Sequence, residues 1–237
     1  MKLKYDDGSA LVDGAPFLLR GMQVADTRAK RESVFRLRYE VYVEGDGKRI
    51  VGADHSARCI EEPLDAWGTL IYQEREGGTV ATVRTNFASD GSLAELVPTQ
   101  LELTRFESFP NGVLSYCSRL AVQRRWRSPR TLLPLLGSVY ALGRMRGAHF
   151  NVIFCSEEMT RFFRRLGYLR FGPYFEYQNL GLRAPMVLAL EDIEHLERCG
   201  SPFLNEARKW PRSSLAREWI NDILCASESA PACARAC

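Results

Sequence analysis

The residues best suited to chemistry are arginines that surround a Ser-Pro pair in the middle of the chain. Within QRRWRSPR, four of them flank Ser128-Pro129: Arg124, Arg125, Arg127 and Arg130. Serine is a favoured N-cap and proline is favoured at the first helical position, so a helix is predicted to begin after Ser128. The N–H groups and the dipole at a helix N-terminus attract anions. The segment therefore predicts a phosphate or pyrophosphate site, with ordinary solvated surface arginines as the alternative.

The elements on either side of this loop form a repeating strand-and-helix pattern. Leu114–Val122 is an apolar, β-like run, and the run after Pro129 has helical length. A second buried strand, Ala148–Cys155, leads into a helix over Glu157–Leu166 that ends at Gly167. Such alternation is typical of a parallel portion within a sheet.

The first third of the chain predicts a hairpin, a helix, a long loop and two strands. Asp13-Gly14 indicates the hairpin turn, and Asp26 or Thr27 can cap the helix, which carries Val34, Leu37 and Val41 on one face. Residues 44–66 show no periodicity and are predicted to form a loop that is either disordered or functional, such as a substrate lid. The strands are predicted at Thr69–Gln73 and Thr79–Phe87, joined by a turn at Glu76-Gly77-Gly78.

The rest of the chain completes a mixed α/β (α+β) sheet. Residues 93–109 predict a short helix and a loop, and Tyr168–Tyr177 and Pro185–Leu190 predict closing strands. We expect residues 1–195 to form one domain and residues 196–237 a C-terminal helical extension with a disordered tail. The helix of this extension would present one apolar stripe, formed by Leu215, Trp219, Ile220, Ile223 and Leu224.

The net charge, cysteine spacing and hydropathy of the chain argue against a nucleic-acid partner, a metal site and a membrane-spanning segment. The 237 residues carry a net charge of only +3, so we expect no nucleic-acid partner, although arginines concentrate in residues 119–170. The seven cysteines form no C-x-x-C pair and no zinc spacing, so no metal site is predicted. The N-terminus lacks an apolar signal core and no run of about 18 apolar residues occurs, which predicts a cytoplasmic protein without a membrane-spanning segment.

Three stretches resemble the GCN5-related N-acyltransferase (GNAT) superfamily. They are GTVATVRTNF, SRLAVQRRWRSPRTLL and FNVIFCSEEMTRFFRRLGYLRFG. Within it, VFRLRYEVYV, EEPLDAWGTLIYQ, ATVRT and CSRLAV are similar to acyl-homoserine lactone synthases and to long-chain N-acyl amino acid synthases. The resemblance implies a twisted mixed sheet flanked by helices, and an enzyme that moves an acyl group from a thioester to an amine.

The resemblance also implies a set of site residues. Arg38 and Tyr42 match the lid and acceptor cluster, Glu62 and Asp65 the acidic pair, and Arg84 and Arg119 the arginines of two strands. In the lactone synthases these residues form an ion-paired cluster that orders the lid around the substrate. A purely structural salt-bridge network is the alternative.

Two departures argue against homoserine-lactone formation and favour a different amine acceptor. Tyr116 stands where the lactone synthases carry a glutamate, and Lys48 stands where they carry a tryptophan. An α-amino acid or a related small amine is the expected acceptor. Arg84 or Arg119 is expected to hold its carboxylate in a bidentate pair.

The donor is expected to be an acyl-phosphopantetheine arm, used as co-substrate with no permanently bound cofactor. The donor-binding residues implied are Leu120, Ala121, Val122, Arg127, Ser128 and Arg130. Acetyl-CoA-dependent members carry glycines in this loop, and an arginine there should obstruct the adenosine end of coenzyme A. This favours an acyl carrier protein, which is acidic, docked on Arg124, Arg125, Arg144 and Arg146.

The chemistry requires a base for the amine and a donor for the oxyanion. Tyr116, Glu102 and Glu107 are candidate bases, and a backbone N–H near Leu120–Val122 is the expected oxyanion donor. Cys117 has no histidine in motif relation to it, so covalent catalysis is not expected. Four phenylalanines either line an acyl tunnel or belong to the core: Phe150, Phe154, Phe162 and Phe163. The rival functions are an acetyl-CoA-dependent transferase and a non-catalytic binding module.

Overall fold

The computed structural model describes residues 17–19, 21–109 and 113–228, the side chains of Glu107 and of residues 223–228 excepted. The Asp13-Gly14 turn, and the tail predicted to be disordered, lie outside these residues. The helices and strands below are numbered in chain order.

The sheet contains eight strands in the order β1-β2-β3-β4-β5-β8-β6, with β7 beside β8. Their bounds are β1 Met22–Val24, β2 Thr69–Arg75, β3 Gly78–Phe87, β4 Val113–Val122, β5 Ala148–Ser156, β6 Leu169–Arg170, β7 Phe175–Glu176 and β8 Leu182–Ala189. β4 and β5 are parallel, and the other pairs are antiparallel. The mixed sheet with a parallel portion at the central strand is therefore confirmed.

The helices cover both faces of the sheet. They are α1 Arg28–Tyr39, α2 Thr104–Glu107, α3 Pro129–Met145, α4 Glu157–Leu166, α5 Ile193–Arg198, α6 Leu204–Ala207 and α7 Leu215–Glu228. Residues of α3, α4, α5 and α6 pack into the core on one face. Residues of α1, α2 and α7 pack on the other. Two apolar layers thus enclose the central strands.

Local signals determine where several elements start and stop. Thr27 caps α1, because its hydroxyl accepts from the N–H of Lys30 at 3.3 Å. In the β2–β3 turn, Glu76 and Gly77 both have positive φ, at 52° and 76°, as a tight hairpin requires. Gly167 ends α4 in the left-handed conformation, with φ 108°.

Two predicted elements differ from the structure. The strand expected over Tyr168–Tyr177 is broken into β6 and β7 around Gly172-Pro173, because proline has no N–H for the ladder. In α7 the buried face consists of Ala216 and Ile220 rather than Leu215, which is 62% exposed. The domain division at residue 195 stays a prediction, and α5 runs across it.

α1 continues into a π-helix over Glu40–Gly45, which opens the segment predicted to be an irregular lid. Residues 46–62 then run without helix or strand, apart from a bridge between Asp54 and Cys59. Ile50 and Ile60 are buried and anchor the segment to the sheet layer. We call residues 40–60 the lid segment.

Candidate active site

β4 and β5 separate halfway along their length. Their parallel pairing runs from Val113 with Ala148 to Tyr116 with Val152. Beyond this point β4 stays paired with β3, and β5 stays paired with β8. A cavity of about 820 Å³ lies at this opening and is lined by residues from both layers. Its size is in the range of pockets that enclose small ligands.

A β-bulge lies on the β4 wall of the cavity. Thr82 pairs with Ala121 and Arg84 pairs with Ser118, so Arg119 and Leu120 both stand opposite the one residue between. Arg119 has φ 54°, which is uncommon for a residue with a side chain. A bulge frees backbone N–H groups from the ladder, as an oxyanion donor requires.

The half of the cavity facing α3 and α4 is largely apolar. Its walls include Leu132 and Leu136 from α3, and Met159, Phe162 and Phe163 from α4. Phe154 also lines the cavity, from β5. Phe150 does not line the cavity, because it is fully buried between Phe106 and Phe109. Of the two alternatives for Phe150, the structure supports a core residue.

The start of α3 lies at the wall of the same cavity. Ser128 occupies the N-cap position with extended backbone and Pro129 the first helical position, and both line the cavity. The expected side-chain cap is not formed, because the Ser128 hydroxyl contacts the Thr131 hydroxyl, at 3.4 Å, instead of a backbone N–H. Arg124, Arg125 and Arg130 are exposed around this helix start.

Arg127 connects this loop to the lid segment. Its Nε donates to the Val122 carbonyl at 3.1 Å, and its Nη2 donates to Asp46 Oδ1 at 2.8 Å. The pKa of Asp46 lies below its ordinary value, because the hydrogen bonds from Arg127 and Lys48 outweigh its partial burial. The guanidinium that was predicted to contact donor phosphate is thus held by a lid carboxylate.

The residues expected to form an ion-paired cluster lie together on the opposite side of the sheet from α3. Asp65 accepts from Arg38 Nη1 at 2.9 and 2.8 Å and from Arg84 Nη1 at 3.1 Å. Glu62 accepts from Arg84 at 3.0 Å and from Arg119 Nε at 2.7 Å. Arg38 and Asp65 are fully buried, whereas Glu62, Arg84 and Arg119 line the cavity.

The electrostatics of the cluster keep both carboxylates ionised. Burial by itself would raise the pKa of Glu62, but its hydrogen bond and charge pairing with Arg119, and the charge of Arg84, bring it below its ordinary value. Asp65 behaves in the same way, with burial outweighed by Arg38 and Arg84. Neither carboxylate is therefore suited to take a proton from an amine.

Two tyrosines join the cluster to the cavity. Tyr42 donates its hydroxyl hydrogen to the Leu120 carbonyl at 2.8 Å, which places it against the bulge. Tyr116 is buried at the point where β4 and β5 separate, and burial raises its pKa well above 10. At neutral pH Tyr116 is therefore a neutral phenol, which argues against its role as a base.

Several predicted roles do not fit the positions of the residues. Glu102 is paired with Arg105 and does not line the cavity, and the side chain of Glu107 lies outside the described part of the chain. Cys117 lines the cavity, but burial raises its pKa to about 12, so it is a neutral thiol.

Two of the arginines assigned to carrier-protein docking are also misplaced. Arg144 is buried at the far end of α3 and pairs with Glu191 at 3.1 Å. Arg146 pairs with Asp90 at 2.6 Å and lies over the Phe87 ring. Both predictions were wrong, because the residues lie at the opposite end of α3 from the cavity and their charges are already paired.

Among the cavity-lining residues that had no predicted role are Glu95, Tyr177 and Arg183. Glu95 comes from the segment between β3 and β4, Tyr177 follows β7, and Arg183 lies in β8. The isolated charge of Arg183 in the apolar run LRAPMVLA was the one available signal. The other two lie in irregular segments, where no periodicity indicates which side chains face the cavity.

Among the described residues, no helix combines the length and hydropathy needed to cross a bilayer.

Comparison with known proteins shows the family to which the chain belongs. The family description "N-acyl amino acid synthase FeeM" matches residues 33–191. By sequence, no curated protein matches the chain.

Solved structures share the fold at low sequence identity. The structure of FeeM, an N-acyl amino acid synthase from uncultured soil microbes, is 15% identical, covers 71% of this chain and 94% of its own, and gives a TM-score of 0.55. BjaI, described as a CoA-dependent acyl-homoserine lactone synthase, is 18% identical to this chain. The match covers 80% of this chain and 90% of BjaI, with a TM-score of 0.56. An N-acetyltransferase-like protein from Lactobacillus plantarum is 17% identical to this chain. The match covers 71% of this chain and 97% of that protein, with a TM-score of 0.50.

The family match spans the lid segment, the bulge, the α3 start and the acid–arginine cluster, which are the parts that build the cavity. The chain therefore belongs to the FeeM N-acyl amino acid synthase family, and it is an acyltransferase with a GNAT-like fold that makes N-acyl products.

Proposed function

We propose that this protein transfers a fatty-acyl group from an acyl carrier protein thioester to the amine of an amino acid or related small amine. The observation that carries the proposal is the cavity between the separated ends of β4 and β5. It joins an apolar half under α3 and α4 to a polar half bordered by Glu62, Arg84 and Arg119. An acyl thioester and a polar amine can meet there.

In the proposed reaction the amine nitrogen, after losing a proton, attacks the thioester carbonyl carbon. A backbone N–H freed at the Arg119–Leu120 bulge stabilises the oxyanion. The carbon–sulfur bond then breaks, and the nitrogen gives up its second proton, which passes to the departing thiolate. Tyr116, which stays protonated, would donate a hydrogen bond to that sulfur. The products are an N-acyl amine and a free phosphopantetheine thiol.

Binding of the phosphopantetheine phosphate is assigned to the start of α3. Ser128 and Arg127 line the cavity there, and Arg130 is exposed on the first turn. The backbone of Leu120, Ala121 and Val122 would run alongside the arm. Because Arg127 is bulky and extends towards the lid, it leaves less room for the adenosine end of coenzyme A than a glycine would.

A coenzyme A donor is the second candidate, since BjaI, which shares the fold, is described as CoA-dependent. Purified protein should be incubated with the same long-chain acyl group on acyl carrier protein and on coenzyme A, together with an amino-acid pool. Mass spectrometry then identifies the products. Faster product formation from the carrier protein is expected. Product from acyl-CoA alone contradicts the donor assignment, and no product from either contradicts the proposed function. The proposed site of action is the cytoplasm.

A further inference from the structure

The arginines predicted to bind the acceptor carboxylate are already engaged by carboxylates of the chain. Arg84 pairs with Glu62 and Asp65, and Arg119 pairs with Glu62. Arg127, a third arginine on the cavity wall, pairs with Asp46. Each of these guanidinium groups already contacts a carboxylate of the chain, so a substrate carboxylate would have to compete for it.

Arg183 also lines the cavity, and within the described part of the chain it has no ion pair. Its Nη1 donates to the neighbouring Leu182 carbonyl at 2.9 Å, and its remaining N–H groups are available to a ligand. Partial burial lowers the pKa of Arg183 from its ordinary value, but the group stays charged at neutral pH. A partly desolvated guanidinium favours a carboxylate partner, which it can bind bidentately.

The position of Arg183 assigns it to the polar half of the cavity. β8 pairs Arg183 with Ser156 of β5 and with Phe175 of β7. Arg183 lies four residues before Val187 along β8 and therefore on the same face, and Val187 packs in the core on the side of α2 and α7, away from α3. Tyr177 and Phe154, whose ring centroids are 4.7 Å apart, lie on that same side.

Glu95 gives the same side a carboxylate without an ion pair in the residues described. It lies between Leu93 and Val97, which pack in the same core, and it borders the cavity. Its charge is opposite to that of Arg183. An α-amino acid carries one group of each sign, so a cavity wall with an arginine and a glutamate that form no ion pair within the described residues fits it.

We infer that Arg183 and Glu95 form the subsite for an α-amino-acid acceptor, in which Arg183 binds the carboxylate and Glu95 faces the amine. The inference rests on the proposed function and deepens it. Glu95 is also placed to accept the proton that the ammonium group loses before attack. The subsite would make the enzyme select free amino acids over amines that lack a carboxylate.

The test uses paired acceptors and matched variants. Kinetics are measured with an amino acid and with the amine that its decarboxylation gives, for wild type, Arg183→Gln, Arg183→Lys and Glu95→Gln. Arg170→Gln, on the neighbouring strand and away from the cavity, is the control. Arg183→Gln should raise the KM for the amino acid about 10- to 100-fold and leave the amine within about twofold. Glu95→Gln should impair both acceptors, and Arg183→Lys should be intermediate.

The outcomes separate the inference from the proposed function. If wild type acylates amines and Arg183→Gln affects both acceptors equally, the inference is overturned and the transferase assignment stands. If wild type acylates neither acceptor, the proposed function fails. Calorimetric binding of the amino acid to wild type and Arg183→Gln then decides the inference, and equal affinities overturn it.

Discussion

At the scale of single residues, the acid–arginine cluster is the feature that the fold depends on most. Arg38 and Asp65 are fully exposed in the unfolded chain and completely buried in the folded protein. An ionised group left alone in the interior costs several kcal/mol, so each charge requires its partner. Asp65 also accepts from the Glu62 N–H at 2.8 Å, which joins the cluster to the backbone before β2.

Removing one charge from this cluster should destabilise the protein strongly. We expect Asp65→Asn to lower the free energy of unfolding by about 3–5 kcal/mol, because Arg38 and Arg84 lose their shared partner. Urea denaturation measures the change. Glu32→Gln, which removes the exposed Arg28–Glu32 pair, is the control and should change stability by less than about 1 kcal/mol. A small effect of Asp65→Asn would show that the cluster does not hold the fold.

The same cluster predicts a pH dependence. The folded-state pKa values of Asp65 and Glu62 lie below their ordinary values of 3.8 and 4.5, so the unfolded chain takes up protons first as the pH falls. Their stabilisation is present above those values and is lost as the pH falls through and below them. The stability difference between wild type and Asp65→Asn should therefore be constant near neutral pH and shrink below about pH 4. A difference that grows on acidification would contradict this.

Tyr116 should act through its O–H group and not as a base. Because its pKa is raised by burial, it stays protonated from pH 6 to pH 9. Tyr116→Phe should lower kcat about 10-fold or more, by the same factor at each pH in that range. Rate profiles of both proteins measure this. A rate loss confined to high pH would indicate a tyrosinate base, and an unchanged kcat would assign Tyr116 to packing.

At the scale of elements, the lid segment contacts β4 and the loop after it through side-chain hydrogen bonds and not through a β-ladder. Tyr42 reaches the Leu120 carbonyl, and Asp46 holds Arg127. Gln123 Nε2 donates to Glu40 at 3.1 Å, at the beginning of the π-helix. A π-helix is uncommon and occurs frequently at functional sites. These contacts join the lid segment to β4 and to the loop before α3.

Breaking the Asp46–Arg127 contact should loosen the lid segment without unfolding the protein. We expect Asp46→Asn to speed hydrogen exchange in residues 46–60, while global stability falls by less than about 1 kcal/mol, since the pair is partly exposed. Exchange measured by mass spectrometry tests this. Glu44→Gln, which breaks the more exposed Arg58–Glu44 pair, is the control and should leave exchange near wild type. If both variants speed hydrogen exchange in residues 46–60 equally, the Asp46–Arg127 contact does not hold the lid segment in place.

At the scale of the whole molecule, the exposed arginines near the cavity lie on one side of the α3 start. Arg124 and Arg125 are exposed, and Arg125 pairs with the exposed Glu76 at 3.2 Å and lies over the Trp126 ring. Arg144 and Arg146 do not belong to this surface, because they lie at the far end of α3 and pair with Glu191 and Asp90. The surface available to an acidic carrier protein is therefore smaller than the sequence indicated.

Reversing these charges should affect the carrier protein more than coenzyme A. We expect Arg124→Glu with Arg125→Glu to raise the KM for acyl carrier protein about 10-fold or more at low salt, and to leave acyl-CoA kinetics and the melting temperature near wild type. Steady-state kinetics with both donors measure this. Arg212→Glu, an exposed reversal in the loop before α7, is the control. Equal losses with both donors would place these arginines at the phosphate instead of at a protein surface.

The sequence by itself determined the main elements and the residues of the cluster. Hydrophobic periodicity, the Ser128-Pro129 signal and Gly167 are local features, so β4, β5, α3 and α4 could be predicted within a few residues. The resemblance to a known family identified the five residues of the cluster. Buried charges need partners of opposite sign, and the structure pairs these residues with one another: Arg38, Glu62, Asp65, Arg84 and Arg119.

The tertiary structure decided which charges remain available for chemistry. The sequence does not distinguish the environments of Arg84 and Arg144. The structure shows that Arg84 borders the cavity, whereas Arg144 is buried at the far end of α3 and pairs with Glu191. Arg183 and Glu95 came to notice because β8 and the segment after β3 bring them to one cavity. Whether a charge is offset or free depends on contacts between residues distant in the chain, and no local pattern encodes those contacts.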